Sequence, residues 1–413
     1  MRIPLFHMER TQCLYENEVR WNLSESGVEP LRVEELLGPE MDAAALLSQA
    51  LKYPEADGSV LLRERIAAFY PGAAAGNVLV TTGCSEANYA ALWALLDERD
   101  RIAVMLPNYL QSWGLGAIYA QRADAFRLVP RRRGLGARWA LDLASLSRAV
   151  TRKTKVVLVT NPNNPTGAVL TEEEMDAVVA AAERVGAWIV SDEVYRGAEV
   201  RGGPVSPTFF GRSDRVVVTG GLSKAFGMPG LRVGWIVAPP RLRDSLCAYL
   251  DYTTLTPSML SDRLARLALE PGRREALLAR TRSILAGNLP ELEAWIRGHG
   301  PLFDYIPPVA GAIAFLRYRL PIASIALFDR LRLEESVLIT PGRHFGTGSY
   351  LRIGYGYDPA RTRKGLSAID RFLRRFDSEE GRSKSKSATG GTRSGSGRRR
   401  ARGSSRSTGR SRT

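Results

Sequence analysis

A chain of 413 residues is long enough to bury one large core or two smaller ones, and its 44 % hydrophobic and 24 % charged residues are ordinary for a globular protein. No apolar run approaches the roughly 18–20 residues of a membrane span, and Arg2, His7, Glu9 and Arg10 interrupt the opening MRIPLFHMERTQ, so no signal-peptide core is expected there. Three widely spaced cysteines, Cys13, Cys84 and Cys247, form neither a disulfide framework nor a CxxC metal pattern, so a reducing, cytoplasmic setting without a bound metal is expected.

The net charge of +15 is concentrated at one end. From Ser378 onward eleven Lys/Arg against two Glu supply +9, leaving about +6 for the body. A Ser/Gly/Arg composition cannot bury a core, so residues 378–413 are predicted to be a disordered tail. An incidental solvated tail is the expected reading; binding of nucleic acid by counterion release is the alternative and open to the tail alone, because the body carries no helix-turn-helix or zinc-finger pattern.

From about residue 75 to 240, β-branched runs alternate with helical stretches, the pattern of a mainly parallel sheet sandwiched by helices. Asn77–Thr82 is the first predicted strand, followed by Gly83 and an apolar helix over Ala87–Leu96. Arg101–Leu106 is the next, ending at Pro107-Asn108-Tyr109. Lys155–Thr160 runs into the turn-rich NPNNPTG of residues 161–167, and Thr171 to Glu174 form a capping box opening a helix that stops near Gly186. Ala187–Val190 is a buried strand ending at Ser191-Asp192-Glu193; Arg215–Thr219 and Val233–Val237 flank the segment holding Lys224. A long helical region is predicted over Ala248–Leu285, then a mixed α/β stretch to Phe376. The polar and Gly-rich segments fall at the carboxyl ends of the apolar strands, where open α/β sheets bind ligands.

Lys224 is the sole charged residue in VVVTGGLSKAFGMPGL, residues 216–231. Desolvation favours the neutral, nucleophilic form of an amine, the form that makes a Schiff base with an aldehyde. Asp192 ends a buried strand, where a carboxylate needs a partner or a task. One such task is to keep a cofactor's pyridine nitrogen protonated so that the ring withdraws electrons. Tyr195 and Asn164 are placed to hydrogen-bond the phenolic oxygen of that ring, the prolines of NPNNPTG presenting Asn164. Gly83-Cys84-Ser85 at a strand-to-helix junction suits a phosphate, with Ser85 and Ser223 adding hydroxyls and Arg232 a charged fork. Tyr109 is placed to stack on a ring. Arg352, in an alternating strand late in the chain, is a bidentate partner for a carboxylate.

NPNNPTG, SDEVY (191–195) and GLSKAFGMPGLRVGW (221–235), in this order and spacing, resemble the class I/II aminotransferases of the aspartate aminotransferase superfamily, fold type I of the pyridoxal-5′-phosphate (PLP) enzymes, over roughly residues 20–375. The resemblance implies the PLP-dependent transferase α/β fold with a smaller α/β domain: an N-terminal arm over 1–45, a large PLP-binding domain over 46–280 and a small domain over 281–377, before the tail. It implies that Lys224 carries PLP as a Schiff base and moves the Cα proton, that Asp192 pairs with the pyridine nitrogen, and that Asn164 and Tyr195 bond the phenolic oxygen while Tyr109 stacks. The phosphate is then held by the Cys84 and Ser85 amides beside Gly83, by Ser223 and by Arg232. Tyr53, in YPEADG, matches a tyrosine that reaches the partner subunit's phosphate, which implies a homodimer with shared sites. Arg352 is implied to hold the substrate carboxylate, helped by Asn164 and the backbone near Gly27.

Two positions depart from the pattern: Gly221 stands where many members have a phosphate-binding serine, and Cys84 where alanine or glycine is common. The activity implied is transfer of an amino group between an amino acid and a 2-oxo acid. The stretches DYTTLTPSML, ITPGRHFG and LRIGYGYDP also resemble capreomycidine-synthase-like enzymes acting on modified arginine, so elimination, replacement or cyclisation on the same scaffold is the alternative. A PLP-domain regulator that binds nucleic acid is not expected, since only fifty residues precede Leu51 in this sequence and such regulators carry an added DNA-binding domain at that end. Trp113, Tyr252 and His344 are candidates for the pocket that selects the side chain.

Overall fold

Runs such as VLVT, VVLVT, WIVSD and VVVT present apolar side chains on both faces of an extended chain, and only a strand covered on both sides can bury them. In the computed structural model, which describes residues 3–37, 43–133 and 136–389, these runs form one large sheet. The chain enters through α1 (His7–Tyr15), β1 (Trp21–Asn22), α2 (Val33–Leu37), α3 (Ala43–Leu47) and α4 (Val60–Ala67). Then come β2 (Val78–Thr81), α5 (Cys84–Leu95), β3 (Arg101–Leu106), α6 (Gln111–Tyr119), β4 (Arg122–Arg133), β5 (Gly136–Leu141), α7 (Leu143–Ala149) and β6 (Thr154–Thr160). Next are α8 (Glu172–Glu183), β7 (Trp188–Asp192), β8 (Val216–Gly221), β9 (Gly234–Val237), α9 (Pro240–Leu250), α10 (Met259–Ala268) and α11 (Pro271–Gly298). The last elements are β10 (Phe303–Tyr305), β11 (Ile313–Tyr318), α12 (Ser324–Glu335), β12 (Val337–Leu338), β13 (Thr340–Pro341), β14 (Tyr350–Gly354) and α13 (Pro359–Thr389).

The eight-stranded sheet has the order β2-β9-β8-β7-β6-β3-β4-β5. Its centre, from β8 through β7, β6 and β3 to β4, is parallel, whereas β9 is antiparallel to both neighbours and β5 to β4. Leu79, Ile102, Val104, Leu158, Val190, Val217 and Ile236 pack against Ala87, Ala91 and Leu92 of α5, Leu115 of α6 and Leu246 of α9. Each such aliphatic side chain contributes about 1.5–3 kcal/mol by leaving water. A smaller antiparallel sheet, β10-β11-β14-β13, carries Arg352, and β1 pairs in parallel with β12.

Several boundaries differ from those predicted. Helix α5 opens at Cys84 rather than Ala87, because Gly83 turns the chain at a φ of 87° that other residues avoid. The predicted helix over 248–285 is three helices, separated by a loop containing Pro257 and restarted at Pro271. The β4–β5 hairpin and α6 were not foreseen: arginines crowd the first, and glycines at 114 and 116 weaken the helical pattern of the second. The described residues up to Ile369 form one compact unit and those from Asp370 to Thr389 another. Helix α13 runs to Thr389, past residue 378, where the tail was predicted to start. Between Arg382 and Thr389 no Gly or Pro interrupts residues that tolerate a helix. The remainder of that tail, 390–413, lies outside the described residues. Among those described, no helix is long and apolar enough to cross a membrane, and no group of three His, Cys, Asp or Glu could hold a metal ion.

A cavity of about 1040 Å³ opens between the N-terminal segment, α6 and α12, lined among others by Phe6, His7, Trp113, Tyr119, Phe328 and His344. His344 is buried, its Nδ1 has no hydrogen-bond partner among the described residues, and its ring stacks on His7 at 6.2 Å. Burial, with the charges of His7 and Arg352, lowers its pKa to about 4. An imidazole in the unfolded chain titrates near 6.5, so between these values the unfolded state binds the proton that the folded state refuses. This group therefore leaves stability unchanged above pH 6.5 and lowers it as pH falls towards 4. Urea midpoints measured from pH 7 to 4 should fall more steeply for the wild type than for His344→Gln; parallel curves would refute the assignment.

Candidate active site

In a parallel sheet all carboxyl ends point the same way, and the register brings Thr160, Asp192 and Thr219 side by side at the ends of β6, β7 and β8. Beyond those ends the chain turns through NPNNPTG, SDEVY and GGLSK. The site is therefore built from three loops separated in sequence but adjacent in the sheet. It opens as a cavity of about 420 Å³ whose lining includes Cys84, Ser85, Tyr109, Asn164, Asp192, Tyr195, Ser223, Lys224 and Arg232. Nine of the residues predicted from sequence thus meet in one hollow.

Asp192 is 7 % exposed. Its Oδ1 accepts the Val194 backbone N–H at 3.2 Å and faces the Cys84 thiol at 3.6 Å, while Oδ2 accepts the Asn88 amide at 2.9 Å. Burial raises the carboxyl's pKa, and the donors from Asn88, Val194 and Cys84, with the nearby charge of Lys224, oppose that rise. The same burial, with Asp192 as neighbour, pushes the Cys84 thiol well above its ordinary value, so it is a protonated donor. Lys224 is half-buried rather than enclosed, because its side chain faces the cavity.

The anion cradle follows from glycine geometry. A Cβ on Gly83 would lie 2.5 Å from Arg232 Nη2, and one on Gly234 would lie 2.3 Å from the Gly83 carbonyl carbon. Two glycines therefore let the β2–α5 turn, β9 and the Arg232 fork converge. Arg232 itself sits in the left-handed region at φ 51°, a conformation costing of order 1 kcal/mol and concentrated at functional sites. The first N–H groups of the twelve-residue α5 have no intrahelical partner, and the helix dipole adds positive potential there. Gly221, where relatives use serine, pairs with Gly234 across the strands; a Cβ there would lie 2.9 Å from the Val233 carbonyl oxygen. Close strand packing, rather than phosphate contact, explains this departure.

On the opposite side, α1 supplies Met8, Glu9, Gln12, Cys13 and, just past its end, Glu16, and the loop after β1 supplies Glu25 and Ser26. Tyr109 is held by its hydroxyl, which donates to Glu9 at 3.0 Å. Gly27 is near the lysine: a Cβ there would meet Lys224 Cδ at 3.8 Å. Arg352 lies one layer back. Its Nη1 donates to Asn164 Oδ1 at 2.8 Å and its Nη2 to Thr340 Oγ1 at 3.2 Å and to the Ser24 carbonyl, and Phe345 covers it at 5.1 Å. Among the described residues its Nε has no hydrogen-bond partner and no carboxylate lies at contact distance. A buried guanidinium that faces no carboxylate at contact distance carries a large desolvation cost, and an anion entering the site would offset it.

Some predicted residues lie elsewhere. Tyr53 is 80 % exposed and Tyr252 82 % exposed, and neither lines the cavity. Trp113 and His344 line the larger neighbouring cavity instead, because α6 and the turn after β13 face the N-terminal segment. Sequence reasoning missed Asn88, one helical turn beyond Cys84 on the same face of α5, and the carboxylates of Glu9, Glu16 and Glu25. For Asn88 the signal was available: a polar residue at i+4 from Cys84, at the start of the apolar stretch of residues 87–95.

The donor set fits PLP. A helix N-terminus with a guanidinium suits its phosphate, a buried carboxylate its ring nitrogen, and an amine beside both its aldehyde. The family model described as aminotransferase class I and II matches residues 23–369. Capreomycidine synthase of Streptomyces vinaceus is 32 % identical over 364 residues, 86 % of this chain and 90 % of that protein. The crystal structure of a PLP-dependent aminotransferase from Streptococcus suis superposes with a TM-score of 0.83 at 30 % identity, covering 91 % of this chain and 99 % of that one. That of the PLP-dependent cyclase OrfR superposes with a TM-score of 0.81 at 28 % identity, covering 91 % and 98 %. This chain belongs to the class I and II aminotransferases, PLP-dependent enzymes of fold type I.

Proposed function

We propose that this aminotransferase moves an amino group between an amino acid and a 2-oxo acid, with Lys224 as the residue that joins the cofactor and carries the substrate's Cα proton. The observation that carries the reading is the convergence of Lys224, Asp192 and the Gly83–Arg232 cradle on one cavity. When bound, PLP supplies an aldehyde and an electron-withdrawing ring that stabilises negative charge at the substrate Cα.

The chain's own residues do the rest. The first N–H groups of α5, Ser85, Ser223 and Arg232 hold the phosphate. Asp192 keeps the ring nitrogen protonated, and Tyr109 covers the ring face. Asn164 and Tyr195 bond the phenolic oxygen, and Asn164 also links that position to Arg352, which takes the substrate carboxylate beside the Gly27 backbone. Lys224, half-buried in the cavity lining, would hold the cofactor's aldehyde carbon and move the proton at the substrate Cα. Residues 46–280 serve as the cofactor-binding part, and 1–45 with 281–377 as the part that presents Arg352. Tyr53, exposed, is available to the partner subunit of a cytoplasmic homodimer with shared sites.

A second reading is supported by a specific observation. Glu9, Glu16 and Glu25 share the cavity with Lys224, and burial together with Glu25 and Glu9 raises the Glu16 pKa. Mutually repelling carboxylates suit a substrate with a basic side chain, and two similar proteins are a capreomycidine synthase and a cyclase. Cyclisation or elimination on a guanidino or amino side chain is therefore the alternative.

Mixing the PLP-loaded protein with single amino acids, modified arginines included, separates the two. Transamination converts the bound cofactor to its amine form and releases one equivalent of 2-oxo acid, whereas elimination or cyclisation regenerates the starting spectrum and releases ammonia or a ring. A protein that never takes up the cofactor would defeat both. Lys224→Ala should reduce turnover by at least about 10³-fold, and borohydride should no longer attach cofactor to the chain by mass spectrometry. Arg352→Lys loses the planar fork; KM for α-carboxylate substrates should rise about 10- to 100-fold with a smaller change in kcat. An unchanged KM would remove Arg352 from the carboxylate site.

A further inference from the structure

Asp192 can serve a ring nitrogen only if it stays ionised and keeps one acceptor position facing the cavity, although it is nearly enclosed. Two features of the surrounding structure bear on this. Thr219 stands beside Asp192 in the parallel register, on the next strand. Asn88 stands one turn after Cys84 on α5, and both side chains descend from the helix onto the carboxylate.

The Asn88 amide is fixed from both ends. Its Oδ1 accepts the Thr219 hydroxyl at 2.7 Å, which obliges its NH2 group to face Asp192 Oδ2 at 2.9 Å. The same nitrogen lies 3.4 Å from Gln111 Oε1, and Gln111 Nε2 donates to the Ser85 carbonyl at 2.8 Å. Asn88 is 2 % exposed and Thr219 wholly buried, so bulk water does not substitute for either donor. With Val194 and Cys84 on Oδ1 and Asn88 on Oδ2, the carboxylate is held in one rotamer with acceptor capacity remaining on Oδ2.

We propose that Asn88, oriented by Thr219, is a positioning residue that holds the Asp192 carboxylate for the ring nitrogen of the cofactor. This rests on the role assigned to Asp192 above. The Asn88 donor is the largest of the influences that oppose the effect of burial on that carboxyl. The chain Thr219–Asn88–Asp192 also ties the ring-nitrogen partner to α5, whose first turn forms the phosphate cradle. One helix therefore spaces both ends of the cofactor.

The test uses the full-length holoenzyme. Asn88→Leu keeps the side chain's branching and heavy-atom count while removing the donor, at the cost of some added bulk; the PLP dissociation constant should rise about tenfold. The pH midpoint of the bound cofactor's visible absorption should move by about half a unit or more, and kcat should fall more than KM changes. Thr219→Val should act in the same direction with smaller size, and Thr219→Ser, which restores the hydroxyl, should recover the affinity that valine loses. Should Asn88→Leu not fold, the Thr219 pair alone decides the matter. Variants that lose only thermal stability, with PLP affinity and absorption midpoint as in the wild type, would overturn the proposal. Asp192→Asn serves as the reference. If it too leaves affinity and spectrum unchanged, the role of Asp192 fails; if it alters them while the Asn88 and Thr219 variants do not, the positioning role fails.

Discussion

A carboxylate at the end of a buried parallel strand constrains everything around it. Asp192 has lost its water, and a desolvated charge persists only where fixed donors replace hydration. Those donors come from three places: the Val194 backbone on the same loop, the Cys84 thiol and the Asn88 amide on α5. For α5 to reach Asp192, the helix must sit low over the sheet. That closeness is what Gly83, Gly221 and Gly234 make possible, since a Cβ at any of them would lie 2.9 Å or less from a neighbouring atom. The glycines that pack the β2–α5 turn against β8 and β9 are thus the same ones that let the helix satisfy the acid.

Charge is arranged along the cavity as well as around it. Arg232 stands beside the cradle, and the buried Arg352 stands one layer behind Asn164, its guanidinium kept in place by neutral acceptors and an aromatic face. Near the mouth, α1 and the loop after β1 bring Glu9, Glu16 and Glu25. The cavity lining thus carries both a guanidinium, that of Arg232, and these three carboxylates. The N-terminal helix, unremarkable in sequence, is therefore part of the site.

Much of the chemistry was legible along the chain. Lys224, Asp192, Tyr195, Asn164 and Arg232 all lie within segments whose apolar strand and glycine-rich turn are local patterns, and the strand direction places such turns at one edge. Other elements were hidden for equally local reasons: arginines masked the β4–β5 hairpin, glycines masked α6, and prolines divided a predicted long helix into three. Tyr252, Trp113 and His344 were placed in the substrate pocket by sequence reasoning, yet Tyr252 is exposed and the other two line the adjacent cavity.

By itself the sequence determined the alternation of buried strand and helix, the loops that bear chemistry and the family to which they belong, because periodicity, capping and turn residues act over a few positions. Only the tertiary structure decided that Asn88 meets Asp192 across 104 residues, that Arg352 meets Asn164 across 188, and that α1 closes one side of the cavity. Such meetings depend on strand order and on how closely a helix approaches a sheet. Both are set by the summed burial of many side chains, and no local pattern in the chain encodes that sum.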